Sequence, residues 1–415
     1  MPPRAPEPHL NPDAMSFTIA SENQNNVFSA AFSLLQDAVG EHVFPAASVA
    51  VTHSGKLVAL KTFGKLIYEE GRAGAPLLSG VARRGAFDFR NSAVTPTTMF
   101  DLASLTKVVA TTTMAAILYE RGLLELDAPI LGTVPEFLVD SCGEVDSRRR
   151  EITFRMLLAH SSGLPAYEKL FLKARTREEL LRLAFTMPLS SSPGTRTEYS
   201  DIGFIILGIA LERIAQEALD AFCQREIFVP LGMSNTAFNP PVATRAYIPP
   251  TADEREESAH PPHAPTSEKR STFRRRIIEG EVQDENASVM GGVAGHSGLF
   301  ATAEDVARFG QAMISGGVPI LRRETVSLFT RRESVPAGTS RALGWDTPSS
   351  PSQSGKHFGP RSYGHLGYTG TSLWIDPDRQ LSIALLTNRT WPDCSNQAIK
   401  QVRPKSHDAV VEALD

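Results

Sequence analysis

The stretch Phe100-Asp101-Leu102-Ala103-Ser104-Leu105-Thr106-Lys107-Val108-Val109-Ala110 puts a hydroxyl and an amine three residues apart at a predicted helix start. In a helix, residues i and i+3 share a face, so the lysine reaches the serine oxygen. A serine hydroxyl is a poor nucleophile until a neighbouring base takes its proton, and a desolvated lysine can be that base. Ser-x-x-Lys is therefore the smallest unit that encodes nucleophilic acyl transfer without histidine. Of the ten lysines in the chain, Lys107 alone has a serine three residues before it. By itself the pattern also fits an ordinary helix start, with Ser104 as the cap and Lys107 in water.

Two further segments weigh against the ordinary reading. Thr197-Glu198-Tyr199-Ser200-Asp201-Ile202-Gly203-Phe204 sets a phenol and a short polar side chain two residues apart at a loop-to-helix boundary. A tyrosine beside a cationic lysine can relay protons, because the positive charge favours its phenolate. Alone, the segment could equally hold a core tyrosine with Asp201 as a helix cap. Gly364-His365-Leu366-Gly367-Tyr368-Thr369-Gly370 stands directly before a predicted strand. A polar side chain followed by glycine suits a strand lining a cleft, since glycine lets a substrate backbone approach.

In this order the three segments resemble the serine β-lactamase and penicillin-binding protein superfamily, with the class C branch and its related esterases and carboxypeptidases most similar. That family uses Ser-x-x-Lys, then Tyr-x-Asn, then Lys- or His-Thr/Ser-Gly. Leu157-Leu158-Ala159-His160-Ser161-Ser162-Gly163-Leu164-Pro165 and Gly291-Gly292-Val293-Ala294-Gly295-His296-Ser297-Gly298-Leu299 also resemble family signatures, and the likeness covers about residues 28–400. It implies an α/β (α+β) β-lactamase-like fold, in which an antiparallel sheet built from both termini carries helices on its faces and a helical insertion. It implies a serine hydrolase that forms an acyl-serine on an ester or amide: an esterase, a carboxypeptidase or a β-lactamase. A slow-turnover penicillin or cell-wall-fragment sensor is the alternative.

Residue by residue, the resemblance makes Ser104 the nucleophile. Lys107 becomes its base, held unprotonated or sharing a proton with Tyr199, and Tyr199 the proton donor to the leaving group. Backbone N–H groups of Ser104 and of Tyr368, after Gly367, would form an oxyanion hole. Asp201 and His365 would hydrogen-bond the substrate. His365 stands where lysine is common, and a histidine is expected to titrate near neutral pH. Two positions depart from the pattern. Asp201 replaces the usual asparagine and, ionised, can only accept hydrogen bonds. Leu366 replaces a threonine or serine, and so lacks a hydroxyl that helps to hold a substrate carboxylate in the family.

Composition excludes other classes. With 415 residues, 41% hydrophobic content and a net charge of −4, the chain offers no electrostatic case for nucleic acid or an anionic membrane. The basic runs Arg148-Arg149-Arg150 and Arg274-Arg275-Arg276 read as solvated loop charge. Cys142, Cys223 and Cys394 suggest neither a disulfide framework nor a zinc site. No dinucleotide fingerprint is present, and no metal or cofactor is implied. The partner expected is a small ester, amide or peptide substrate; oligomeric state is not legible. No signal peptide or membrane span is read, which suggests a cytoplasmic protein, or a periplasmic or secreted one if a leader has been removed.

Along the chain, residues 1–25 are expected to be a disordered tail and 26–400 the hydrolase domain. Its α/β part would be built from about 26–100 and 290–415, its helical part from about 105–245, with a mobile loop at 249–276. Phe28, Phe32, Leu35 and Val39 predict a first amphipathic helix. Hairpins are predicted at 47–63 and 371–387, and helices at 108–121, 152–160, 202–215, 302–314 and 408–414.

Overall fold

The computed structural model describes residues 18–68, 91–255, 272–392 and 394–415. The strands in chain order are β1 (Thr18–Ile19), β2 (Ala46–His53), β3 (Lys56–Gly64), β4 (Phe100–Asp101), β5 (Thr236–Phe238), β6 (Ala252–Asp253), β7 (Ile277–Ile278), β8 (Leu299–Ala301), β9 (Tyr363–Leu366), β10 (Ser372–Asp376) and β11 (Leu381–Thr387). The main sheet runs β1-β3-β2-β11-β10-β9, so the two ends of the chain meet at its centre where β2 pairs β11. That pairing is antiparallel, with Val49 opposite Leu385 and Val51 opposite Ile383.

Period-2 alternation sorts the two faces of β2. Ala47, Val49 and Val51 join Phe28, Phe32, Leu35, Val410 and Val411 in one apolar layer. This layer lies under helices Ser29–Gly40 and Ile399–Glu412. Ala46 and Ala50 face the other way, into a larger core shared with helix Ala303–Ile314 and the helical part of the chain. At the centre of that part, helix Asp201–Ala215 is buried from Ile202 through Leu211. Such all-round apolarity belongs to a helix with neighbours on every side.

Where sequence and structure differ, tertiary contact explains it. The last helix begins at Ile399 rather than near 408 and carries Pro404 inside it. Buried Ile399, Arg403 and His407, the last two hydrogen-bonded to the Gly370 and Ser354 carbonyls, override the proline signal. The helix expected over 152–160 is only Phe154–Leu158, capped by the Thr153 side chain. Of the expected tail, residues 1–17 lie outside the described residues, while Thr18–Ile19 pairs in parallel with β3. Of the expected loop, 256–271 likewise lie outside them, and its ends are held by β6 pairing with β7. Among the described residues, no helix is long and apolar enough to cross a membrane.

Neither basic run is wholly solvated. Arg149 is fully buried, donating to the carbonyls of Phe137, Phe185 and Met187 at 3.0, 2.9 and 2.6 Å. Arg274 is buried against Glu254 at 2.6 Å. Arg149→Met would strip three buried carbonyls of their donor, at about 1–3 kcal/mol for a lost partner. A clear fall in melting temperature is expected for Arg149→Met, while the same change at exposed Arg148 stays within about 0.5 kcal/mol. Equal melting temperatures for the two variants would refute the bracing role.

Candidate active site

The segment carrying Ser104 leaves β4 through a tight elbow. Ala103 has φ +47, a left-handed conformation that an alanine holds only when its surroundings enforce it. Enforcement comes from Asp101 Oδ1, which accepts the Ala103 N–H at 2.8 Å, and from Thr106 Oγ1, which donates to the Ala103 carbonyl at 2.6 Å. Burial pushes the Asp101 carboxyl up to about 6, against the backbone donors Gln283 and Ala103, which stabilise its charge. Beyond the elbow the chain winds as a π-helix over Lys107–Thr112 before continuing as the α-helix Thr113–Glu120. Wide turns of this kind are frequent at functional sites.

The elbow aims Ser104 at Lys107, whose Nζ donates to Ser104 Oγ at 3.0 Å. The same Nζ donates to the His296 carbonyl at 2.9 Å and lies 2.6 Å from Asp201 Oδ1. That carbonyl comes close because Gly295 lets the 291–298 loop press on helix Asp201–Ala215: a Cβ there would lie 2.2 Å from the Phe204 carbonyl oxygen. Tyr199 completes the cluster, with Lys107 Nζ 5.0 Å from its ring centroid. The structure thus brings Ser104, Lys107, Tyr199 and Asp201 together.

Asp201 is not the helix cap. Ser200 caps, its Oγ accepting the Gly203 N–H at 2.9 Å, while Asp201 is the first helical residue and pairs with Lys107. Burial pulls the Lys107 pKa down, but Asp201 and Tyr199 more than offset it, so it lies above its ordinary value. An unprotonated resting lysine does not fit. The Tyr199 phenol is pushed up by burial, drawn down by Lys107 and pushed up again by Asp201, and also ends above its ordinary value.

Sequence reading missed His160. Its ring packs 4.5 Å from the Tyr199 ring and 5.0 Å from Phe204, and its Nδ1 accepts the Ser200 N–H at 3.0 Å. It clamps the cap that presents Tyr199. The motif containing it had been quoted, but nothing local showed that residue 160 reaches residue 200. Two more unassigned residues line the pocket: Arg341, 5.2 Å over the Tyr199 ring, and Asp284, 2.9 Å from His296 Nε2.

β9 and the turn after it form the opposite wall, with His365, Gly367 and Tyr368 on the pocket. The room at Gly367 is used by the protein itself rather than left for substrate: a Cβ would lie 1.9 Å from Thr371 Oγ1 and 2.5 Å from the Leu102 carbonyl oxygen. Thr369 and Thr371 donate to the carbonyls of Asp101 and Leu102 at 2.8 and 2.9 Å, stitching the β9–β10 connection to the loop that carries Ser104. Leu366 packs against the apolar layer of the terminal helices and reaches the pocket edge. His365 is buried, and burial, Lys107 and Arg341 hold it well below the usual imidazole range, so it stays neutral where titration had been expected. The pocket they enclose measures about 840 Å³, within the range of small-molecule sites.

A β-lactamase family profile matches residues 32–403. The chain belongs to the β-lactamase family. It is 31% identical over 363 residues to an N-acetylmuramyl-L-alanine amidase of Bacillus subtilis (strain 168), covering 83% of this chain and 77% of the other. It is 30% identical over 376 residues to a putative D-alanyl-D-alanine carboxypeptidase of Salmonella typhi, covering 86% and 81%. In fold it is similar to EstCE1, a hydrolase with promiscuous acyltransferase activity, with a TM-score of 0.69 at 20% identity over 93% of this chain and 99% of that one. This member of the β-lactamase family is a serine hydrolase of the acyl-serine type.

The threonine stitching generates a test. Thr369→Val together with Thr371→Val removes two buried donors at about 1 kcal/mol each and loosens the wall opposite Ser104. We expect kcat to fall by more than the change in stability at assay temperature can explain. Unchanged kcat with a lowered melting temperature would make the two hydroxyls structural only.

Proposed function

We propose that Ser104 attacks the carbonyl of an ester or amide, with Lys107 and Tyr199 as one proton-handling unit. The observation that carries the reading is the 3.0 Å contact of Lys107 Nζ with Ser104 Oγ inside a buried, ion-paired cluster. As the Ser104 Oγ–carbonyl bond forms, the hydroxyl proton passes to the Lys107–Tyr199 pair. Tyr199 returns it to the leaving alcohol or amine as that bond breaks. Water then repeats the sequence on the acyl-serine. Backbone N–H groups of Ser104 and Tyr368 meet the developing oxyanion. His160 and Asp201 position the pair: the first holds the cap before Tyr199, the second fixes Lys107.

Ser104→Ala is expected to lower kcat by roughly 10⁴-fold or more. Intact-protein mass after exposure to a nitrophenyl ester, a penicillin and a D-Ala-D-Ala peptide in turn gives the adduct and its lifetime. An adduct mapped to another serine would refute the assignment. A long-lived penicillin adduct with little turnover would favour a sensor, a reading supported by the raised pKa of the base. Because the pair acts as a unit, Lys107→Ala/Tyr199→Phe should cost little more than the worse single change; multiplying losses would break the shared-proton picture.

The pair also sets the pH dependence. The reactive form has lost one proton from it, and both pKa values lie above their ordinary range. Activity should therefore rise with pH into the alkaline region. The Asp201 carboxylate raises both values, so Asp201→Asn should move the limb of kcat/KM to lower pH, by about one to three units for a charge at contact distance. A limb that stays in place or moves upward counts against Lys107 and Tyr199 as the titrating unit.

A further inference from the structure

The turn that follows β9 is held by two buried guanidinium groups from the far end of the chain, Arg389 and Arg403. Within Gly367-Tyr368-Thr369-Gly370-Thr371, the Gly370 N–H donates to the Gly367 carbonyl at 3.0 Å and the Gly367 N–H to the Thr371 carbonyl at 2.7 Å. A trans peptide sets its N–H opposite its carbonyl, so fixing the Gly367 carbonyl fixes the direction of the Tyr368 N–H. The next three carbonyls need donors from outside the turn. Arg389 Nε donates to Tyr368 at 2.7 Å and Arg403 Nη2 to Gly370 at 3.1 Å. Between them, Thr369 accepts from the Arg389 backbone N–H at 3.0 Å and from Thr387 Oγ1 at 3.1 Å.

Arg389 grips Tyr368 twice. Besides its bond to the carbonyl, its guanidinium lies 4.5 Å from the centre of the Tyr368 ring, and a further bond anchors it to the Cys394 carbonyl at 2.8 Å. Gly370 lets the turn settle on it: with φ at +96, a Cβ there would collide with Thr387 Oγ1 and Arg389 Cγ. Burying a cation among carbonyls is costly. The cost shows at Arg403, which burial, and then the charge of Arg389, push down to about 9. Only a planar fork spans two carbonyls and a ring face at once. Tyr368, the residue so gripped, is itself 42% exposed and lines the pocket. A buried charge is thus committed to holding a surface residue, where core packing gains little.

We propose that Arg389 is a positioning residue for acyl transfer, clamping Tyr368 so that its backbone N–H stays aimed at the oxyanion formed on the Ser104 adduct. The role rests on the reading that Ser104 is acylated and that the Tyr368 N–H meets the oxyanion. Sulfur accepts hydrogen bonds weakly, so the test compares a nitrophenyl ester with the matching thionoester on the full chain, each rate divided by that with hydroxide. Arg389→Met is expected to lower kcat by roughly 10- to 100-fold with KM little changed, since outright loss of an oxyanion donor costs about 10²–10³-fold. The ester-to-thionoester ratio of kcat/KM should shrink about tenfold. Arg403→Met frees the Gly370 carbonyl but leaves both contacts to Tyr368, so it should lower the melting temperature and keep the ratio.

A ratio preserved in Arg389→Met overturns the role, even if kcat falls. An equal fall of the ratio in Arg403→Met overturns it too, because general loosening of the turn would then suffice. If Arg389→Met does not fold, Tyr368→Leu decides, at an exposed position: it removes the ring beneath the guanidinium, and a smaller ratio supports the clamp while an unmoved one refutes it. Failure of the underlying reading looks different. A fluorophosphonate that leaves wild-type Ser104 unmodified ends the acyl-serine reading and this role with it. A wild type modified at Ser104 yet indifferent between ester and thionoester ends the oxyanion assignment of Tyr368, and the clamp falls with that assignment.

Discussion

A buried ammonium is the constraint around which this protein is arranged. Lys107 is fully buried, and an isolated charge there would be prohibitive unless paired and hydrogen-bonded. Its partners come from its own turn and from two distant segments: Ser104, then the carbonyl of His296 and the carboxylate of Asp201. Meeting that need fixes where the 291–298 loop crosses helix Asp201–Ala215. It also aligns the start of that helix with the start of the helix that follows Ser104. The buried cluster and the packing of the helical part are one arrangement, because the same charge demands both.

The sheet supplies the other half of the frame. Its centre pairs β2 from near the beginning of the chain with β11 from near the end, and its edge strand β9 carries His365, with Gly367 just after it. An edge strand is a natural cleft wall, since one side has no neighbouring strand. Left alone it would be free to shift. Here Thr369 and Thr371 tie it to the carbonyls just before Ser104, so the sheet edge and the Ser104 turn are fixed to each other. Strain at Ala103 persists for the same reason, being held by Asp101 on one side and Thr106 on the other.

The sequence made the local half of this legible. Ser-x-x-Lys spacing gave the Ser104–Lys107 contact, alternation gave both central hairpins, and Thr302 marked the start of its helix. What stayed hidden were relations between residues far apart in the chain. Nothing near Arg149 indicates that carbonyls from three other positions converge on it, so it read as surface charge. Gly367 read as room for a substrate, and only the tertiary structure shows Leu102 and Thr371 filling that room. His160 looked like part of a helix end until its ring met Tyr199.

The departures from the family pattern gain meaning from the same source. In the sequence, Asp201, His365 and Leu366 are unrelated substitutions at positions 165 residues apart at most. In space, Asp201 and His365 flank Tyr199 and Ser104, and their consequences run in one direction. The Asp201 carboxylate keeps Lys107 protonated, and the Lys107 charge in turn helps to keep His365 neutral. A neutral His365 whose Nδ1 is committed to the Leu366 carbonyl is left with a lone pair on its buried Nε2. Restoring a cation at 365 while Asp201 remains would place a second positive charge near Lys107 without a carboxylate of its own. Activation chemistry and substrate recognition are therefore coupled through a single charge balance, and a change at either residue must be read at both.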